Sequence, residues 1–387
     1  MRLNVFLNQF GSRSFVGVLD DKDTNRIFFE YNPSFLKQNI NLSPFKLPLN
    51  AGVLEDSEQT FAGLYGLFND SLPDGWGCLL LDRKLQKQGL SINEITPLKR
   101  LAMIGTNAMG ALEYEPIIEN NEYIENKIEL DKLHIEANKI LEGQSSEVLQ
   151  ELLTLNGSSQ GARPKVLVNV SSDKKQISQS KGSPWLIKFA SSLDNKNIGA
   201  VEYIYSILAK QSGIEMPETY LFESKINAGH FGVQRFDRID GNKIHIHTAC
   251  GLLHASHRTA SLDYTSLLKL TSVLTKDARE VEKMFRLMIF NVLSGNKDDH
   301  SKNFSFMIDK NNNWKLTPAY DLTPSQGING EQTAMVNNKG KDIADADFIK
   351  TGLDFSISKE TTQTIIEQTK DALSNYNKLA KEFGVEF

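Results

Sequence analysis

Residues 281–293 carry Val281, Met284, Phe285, Met288, Ile289 and Val292 at helical spacing, the pattern of a helix buried along one face. The run stops at Ser294-Gly295, a helix-terminating pair. A polar stretch follows, N-K-D-D-H-S-K-N over residues 296–303. Residues 304–308 alternate weakly and read as a strand, residues 309–313 are a turn cluster, and residues 314–318 read as the return strand. A buried helix, a polar loop and a hairpin in this order fix where three oxygen-bearing side chains end up. Asp298 and Asn303 share the loop, five residues apart, and Asp321 follows the hairpin, which returns it beside Asn303. Taken alone, an Asp and an Asn after a helix make an ordinary turn. The flanking helix and hairpin favour a functional loop.

An Asp five residues before an Asn, with a second Asp after a hairpin, is the layout of a protein-kinase-like active site. There the first Asp accepts or orients the proton of the attacking hydroxyl. The Asn carbonyl and the second Asp hold magnesium against the ATP phosphates, and oxygen donors suit that hard cation. On this reading Asp298 is the catalytic base, Asn303 and Asp321 are metal ligands, and ATP and Mg2+ are the cofactors. The upstream half offers the remaining parts. P-W-L-I-K-F (184–189) reads as an apolar strand whose one lysine, Lys188, would reach the α- and β-phosphates. A strand lysine is otherwise an edge residue with its ammonium in water. Glu202 lies in a helical run over 200–210 and would pair with Lys188, although an exposed helix Glu is the commoner case. N-G-S-S-Q-G-A-R-P-K (156–165) puts Gly157 and Gly161 where backbone can approach phosphates. It is neither a Walker A nor a G-x-G-x-x-G motif, and such a turn is ordinarily a connector. Residues 231–238 read as a strand entering a charged turn. Gln234 and Phe236 stand where a connection between two lobes would offer backbone to the adenine edge; the neighbouring arginines equally suit pairing with carboxylates.

With these pieces in order the chain resembles the HipA-family serine/threonine kinases, the toxins of HipBA-type toxin–antitoxin pairs. The resemblance runs over nearly the whole length. It is carried by V-G-V-L (16–19), F-N-D-S-L-P-D-G-W (68–76), residues 98–110, S-S-Q-G-A-R-P-K (158–165), L-I-K (186–188), V-Q-R-F-D-R (233–238), N-K-D-D-H-S-K-N (296–303) and P-A-Y-D (318–321). It implies an α/β (α+β), two-lobed protein-kinase-like fold with an extra N-terminal α/β subdomain and a mainly helical C-terminal lobe. It also implies that Gly161, Lys165 and Lys188 serve the nucleotide, that Gln234 and Phe236 line the adenine site by backbone, and that His300 and Lys302 shape the catalytic loop. Ser158, with Ser159 as a competing acceptor, matches the serine that is autophosphorylated in related toxins, where the added charge shuts off ATP binding. The implied partners are a HipB-like helix-turn-helix antitoxin, DNA only through that complex, and a protein substrate of the aminoacyl-tRNA synthetase type. Two alternatives stay open: an antitoxin-associated co-repressor with little kinase activity, and a small-molecule kinase.

The chain of 387 residues is 40% hydrophobic and 24% charged, an ordinary globular composition that needs two or three sub-domains. A net charge of −5 argues against a large nucleic-acid surface. The two cysteines, Cys78 and Cys250, offer neither zinc spacing nor a disulfide framework and fit a reducing cytoplasm. No signal peptide or membrane-spanning stretch is expected. The expected organisation is an N-terminal subdomain over 1–115, a linker and helix over 116–150 (acidic and Asn-rich over 115–127), the nucleotide-binding part of an N-lobe over 151–238 and a helical C-lobe over 239–387, closed by an amphipathic segment over 361–383. Short strands are expected over 3–7, 14–19 and 26–31.

Overall fold

A computed structural model describes residues 1–21, 26–89, 91, 95–118, 128–256 and 262–385. The chain divides into two compact units, Met1–Gly199 with Thr219–Ile246, and Ala200–Glu218 with His247–Phe387.

The first unit contains two five-stranded antiparallel sheets. In one, the order is Val53–Glu55, Phe28–Tyr31, Ser12–Asp20, Arg2–Gln9, Leu112–Glu115. The glycine of V-G-V-L is dictated by packing, because a Cβ on Gly17 would lie 2.2 Å from the Glu30 carbonyl oxygen. Glu115, expected to open a linker, instead ends a strand; residues 119–127 of that expected linker lie outside the described residues.

The other sheet runs Ile177–Ser178, Lys165–Val170, Ser183–Lys188, His230–Gln234, Thr219–Phe222. Strand periodicity gives it two unlike faces. Val166, Val168, Val170, Trp185 and Ile187 form a core with Trp76, Leu80, Leu133, Ile140, Leu152 and Leu155, which come from the helices Gly75–Lys87, Leu130–Leu141 and Leu149–Asn156. The alternate residues, Lys165, Leu167, Leu186 and Lys188, occupy the opposite face.

Two polar clusters brace this unit. Asp237 is 1% exposed. It is gripped by Arg235 (Nε–Oδ1 2.8 Å, Nη2–Oδ2 2.7 Å), Arg238 (Nη1–Oδ2 2.7 Å) and the Gly110 N–H (2.8 Å). Burial would raise its carboxyl pKa, but the two guanidiniums override that and hold it well below the usual carboxylate range. In the second cluster the buried His230 donates from Nε2 to Asp131 (2.8 Å), and His134 donates from Nε2 to the Ala190 carbonyl (2.8 Å). The two rings meet edge to face at 5.2 Å.

In the second unit the helix Ala278–Ser294 packs against Tyr264–Thr275 and Lys359–Ser374. It ends at Gly295, whose φ of 72° is the left-handed C-cap anticipated from the sequence. Glu280 of that helix accepts the Leu316 N–H (2.9 Å) and so fixes the hairpin Ser305–Ile308/Trp314–Leu316. The expected closing segment is two helices, Lys359–Ser374 and Tyr376–Glu382, parted at Asn375. Cys78 and Cys250 are not joined in a disulfide. Among the described residues no helix is long and apolar enough to cross a membrane.

Replacing Asp237 by Ala strands two guanidiniums, and we expect a loss of about 3–5 kcal/mol, read as a lower urea midpoint; an unchanged midpoint would contradict this role. His230 gives a pH signature. Burial pushes its imidazole down to about 4, against the opposing pull of Asp131. The unfolded ring takes up its proton near pH 6.5, so between those values the unfolded chain binds more protons. Stability is therefore full above that window and declines as pH falls through it, by about 3 kcal/mol in total. His230→Gln should flatten this acid limb in denaturation curves measured from pH 4 to 7.

Candidate active site

The catalytic-loop candidates all belong to the second unit. The Asp298 side chain is 69% exposed, with its Oδ1 3.9 Å from His300 Nε2. Asn303 donates its amide N–H to the Asp298 carbonyl (2.7 Å), closing the loop and leaving its own carbonyl oxygen as the acceptor end of the amide. Lys302 is buried, and its backbone carbonyl accepts the Tyr320 hydroxyl at 2.6 Å. The same hydroxyl bonds Ser305 Oγ. One tyrosine thus ties the chain at Asp321 to the chain on both sides of Asn303. Asp321 itself has φ of 58°, a left-handed conformation uncommon for a residue other than glycine. Strain of this kind persists where surrounding structure imposes it.

An aspartate that the sequence reading passed over organises this loop. Asp299 is 1% exposed. Its carboxylate accepts from Tyr264 OH (2.7 Å), Gln332 Nε2 (3.0 Å) and Ala334 N–H (3.0 Å). Tyr264 in turn accepts from Asn291 of the buried helix (2.9 Å), and burial pushes its phenol far up, so it remains a donor. Burial also raises the Asp299 carboxyl, although the three donors pull the other way. In D-D-H the period alone does not reveal which carboxylate faces inward. The tethering of the loop distinguishes them.

The nucleotide candidates belong to the first unit. Lys188 is on the central strand of its sheet, not an edge, and is 9% exposed. It stands in register with Lys165 on one side and Phe231 on the other. Lys165 is also buried, and its ammonium reaches the Gln160 carbonyl. Adjoining the lysines on the same face are Leu167 and Leu186, paired in register, and Val233, paired with Leu186. All three are half-buried. This apolar strip beside two cations was missed in the sequence; the alternation over 165–170 and 184–188 was the signal that carried it. Gln234 ends its strand opposite Trp185, and Phe236 follows in the turn. The flanking arginines pair with Asp237, as the ion-pair alternative anticipated. Glu202 lies in the second unit on Ile198–Gln211 and is buried, not exposed.

The glycine-rich loop is packed inward. Ser158 and Ser159 are 0% and 1% exposed. Ser158 Oγ accepts the Met109 N–H (2.7 Å), and Ser159 Oγ donates to Asn156 (2.6 Å). Neither hydroxyl is at the surface, so phosphoryl transfer to either needs the loop to leave this position. Gly157 has φ of +54°, and a Cβ there would lie 3.0 Å from the Asn107 carbonyl.

The residues present fit a hard divalent cation. By donor type, the Asn303 carbonyl oxygen, whose amide N–H is engaged, and the Asp321 carboxylate suit a cation such as magnesium, which takes oxygen ligands alongside phosphate and water. Among the described residues no group of three or more His, Cys, Asp or Glu is arranged to hold a metal.

Residues 157–376 match the family model of the HipA-like C-terminal domain, and residues 3–115 match that of the HipA N-terminal domain. The chain is 25% identical over 170 residues to the Sinorhizobium fredii protein named "Putative kinase Y4dM", a stretch covering 40% of this chain and 41% of that protein. It is 27% identical over 129 residues to a Haemophilus influenzae protein named "Putative kinase", covering 30% and 38%. The matched stretch is thus less than half the length of these curated relatives. Among solved structures, a chain of the Shewanella oneidensis HipA, HipB and operator DNA complex superposes with a TM-score of 0.72 at 18% identity, covering 99% of this chain and 91% of that one. The Helicobacter pylori kinase CtkA matches with a TM-score of 0.35 at 14% identity, covering 58% and 90%. The Shewanella likeness establishes the mixed α/β architecture as that of HipA. With domain models matched over both its N-terminal and its C-terminal regions, the chain belongs to the HipA family.

Proposed function

We propose that this protein is an ATP-dependent kinase that transfers the γ-phosphate to a serine or threonine hydroxyl of a protein substrate. The observation that carries this reading is the Tyr320 tether, which joins the Asp321 segment to the Asn303 loop while Asp298 stays open to solvent. A structural turn has no need of an exposed carboxylate, an oriented amide and a left-handed aspartate on segments bound to each other. On this reading Asp298 takes or orients the proton of the attacking hydroxyl. Asn303 and Asp321 would hold magnesium, which when bound supplies charge neutralisation at the phosphates. Lys188 and Lys165 serve the phosphates, the strip of Leu167, Leu186 and Val233 accepts an apolar ring face, and the backbone at Gln234 and Phe236 reads the adenine edge. Ser158 or Ser159 is the self-modified residue once the loop has left its inward position.

The solved Shewanella relative is described as a complex with HipB and its operator DNA. We extend the proposal to a HipB-like antitoxin as partner, with DNA contacted through that complex.

Asp298→Asn and Asp321→Asn should each lower transfer of labelled phosphate from ATP by at least about 100-fold, with circular dichroism and melting temperature unchanged. Transfer retained in both variants removes the reading. Lys188→Met should instead weaken nucleotide binding about tenfold or more, the effect of removing one charge-assisted contact. Asp298→Asn should leave ATP affinity near the parent value, and calorimetric titration with the nucleotide separates the two roles.

A further inference from the structure

The L-P-D-G-W stretch has a use that its sequence does not disclose. Asp74 stands at the N-cap of the helix Gly75–Lys87, where an aspartate ordinarily accepts an N–H of its own helix. Its side chain makes no such capping bond. Its carboxylate accepts the Gly161 N–H instead. Trp76 N–H, one of the first-turn donors that a helix leaves unsatisfied, donates to the Gly161 carbonyl (3.1 Å). Gly161 is therefore held at both its N–H and its C=O by residues two apart in the N-terminal domain. Gln160 Nε2 donates to the Asp70 carbonyl (3.0 Å), and Trp76 Nε1 donates to the Lys165 carbonyl (3.2 Å). Between Asp74 and Trp76 the backbones approach so closely that a Cβ on Gly75 would lie 2.7 Å from Ala162 Cα and 2.8 Å from the Gly161 carbonyl oxygen. These contacts add little to the helix, which is already anchored by Trp76 and Leu80 in the core. What they fix is the position of the glycine-rich loop.

We propose that the 70–76 turn is the seat of the glycine-rich loop, and that Asp74 is a positioning residue that sets nucleotide affinity through Gly161. A loop ordered in advance binds a phosphate chain without the entropy cost of ordering on arrival. The affinity half of this proposal rests on the kinase reading; the seating half does not.

The test is amide hydrogen exchange over residues 157–165 in the ligand-free full chain, paired with calorimetric titration of ATP–magnesium. Asp74→Ala should speed exchange at Gly161 at least about tenfold, the worth of one hydrogen bond to a charged group, and weaken ATP binding by a similar factor. Asp74→Asn keeps a carbonyl acceptor and should stay close to the parent in both. If Asp74→Ala does not fold, Gln160→Ala removes the bond to Asp70 from the loop side and should loosen the same segment. Unchanged exchange in the folded variants overturns the seat. Faster exchange with unaltered ATP affinity overturns the positioning role. A parent chain that binds no ATP fails the kinase reading instead, and the exchange arm still decides whether the loop is seated.

Discussion

A carboxylate survives in a protein interior only where donors surround it, and in this chain two such carboxylates decide where the functional loops lie. Asp299 draws on the hydroxyl of Tyr264, the amide of Gln332 and the backbone of Ala334. It thereby joins the catalytic-loop candidate to the helix Tyr264–Thr275, whose Tyr264 also bonds Asn291 of the preceding helix, and to the segment beyond Asp321. Asp237 draws on Arg235, Arg238 and the Gly110 N–H, and Arg238 also donates to the carbonyls of Ala108 and Gly110. The loop so held presents the Met109 N–H, which donates to Ser158 Oγ. In each unit a buried charge that does no chemistry on this reading fixes the backbone beside groups that do.

The contrast between Asp298 and Asp299 shows what such an arrangement achieves. They are adjacent and chemically identical, yet one is open to solvent and the other sealed. Burial lifts the Asp299 carboxyl while three donors oppose it, and its oxygens are committed to those neighbours. The Asp298 carboxylate lies at the surface, with His300 Nε2 at 3.9 Å. A general base has to meet its substrate and keep a lone pair for it. The backbone shared with a rigid neighbour lets Asp298 be exposed without its loop being loose.

Local signals made much of this legible. The helical spacing through Val292, the Gly295 stop and the turn at 309–313 gave the helix–loop–hairpin frame and placed Asp298, Asn303 and Asp321 on it. The strands expected over 3–7 and 14–19 lie within two residues of their observed ends, Arg2–Gln9 and Ser12–Asp20. What escaped was long-range. Asp299 meets partners at 264, 332 and 334, and Asp74 meets Gly161, at separations that no window of sequence spans. The edge-strand alternative for Lys188 fails because strand order, which decides edge from centre, is a property of pairing and not of the strand itself. The exposed-helix alternative for Glu202 fails likewise, since helical periodicity alone does not show its burial.

Lys165 and Lys188 press the same point from energetics. They face one another in register on neighbouring strands and both are buried. Like charges directly opposite destabilise a sheet, and lysine is a poor strand former. A Thr or Val at either place would satisfy the strand and remove the repulsion. Selection for stability alone would therefore favour replacing at least one of them. An anion shared by both ammonium groups would turn the repulsion into attraction, and Leu167, Leu186 and Val233 beside them suit a ligand with an apolar ring as well as negative charge. On the kinase reading proposed above, that shared anion would be the phosphate chain of the nucleotide, and the lysine pair would serve it.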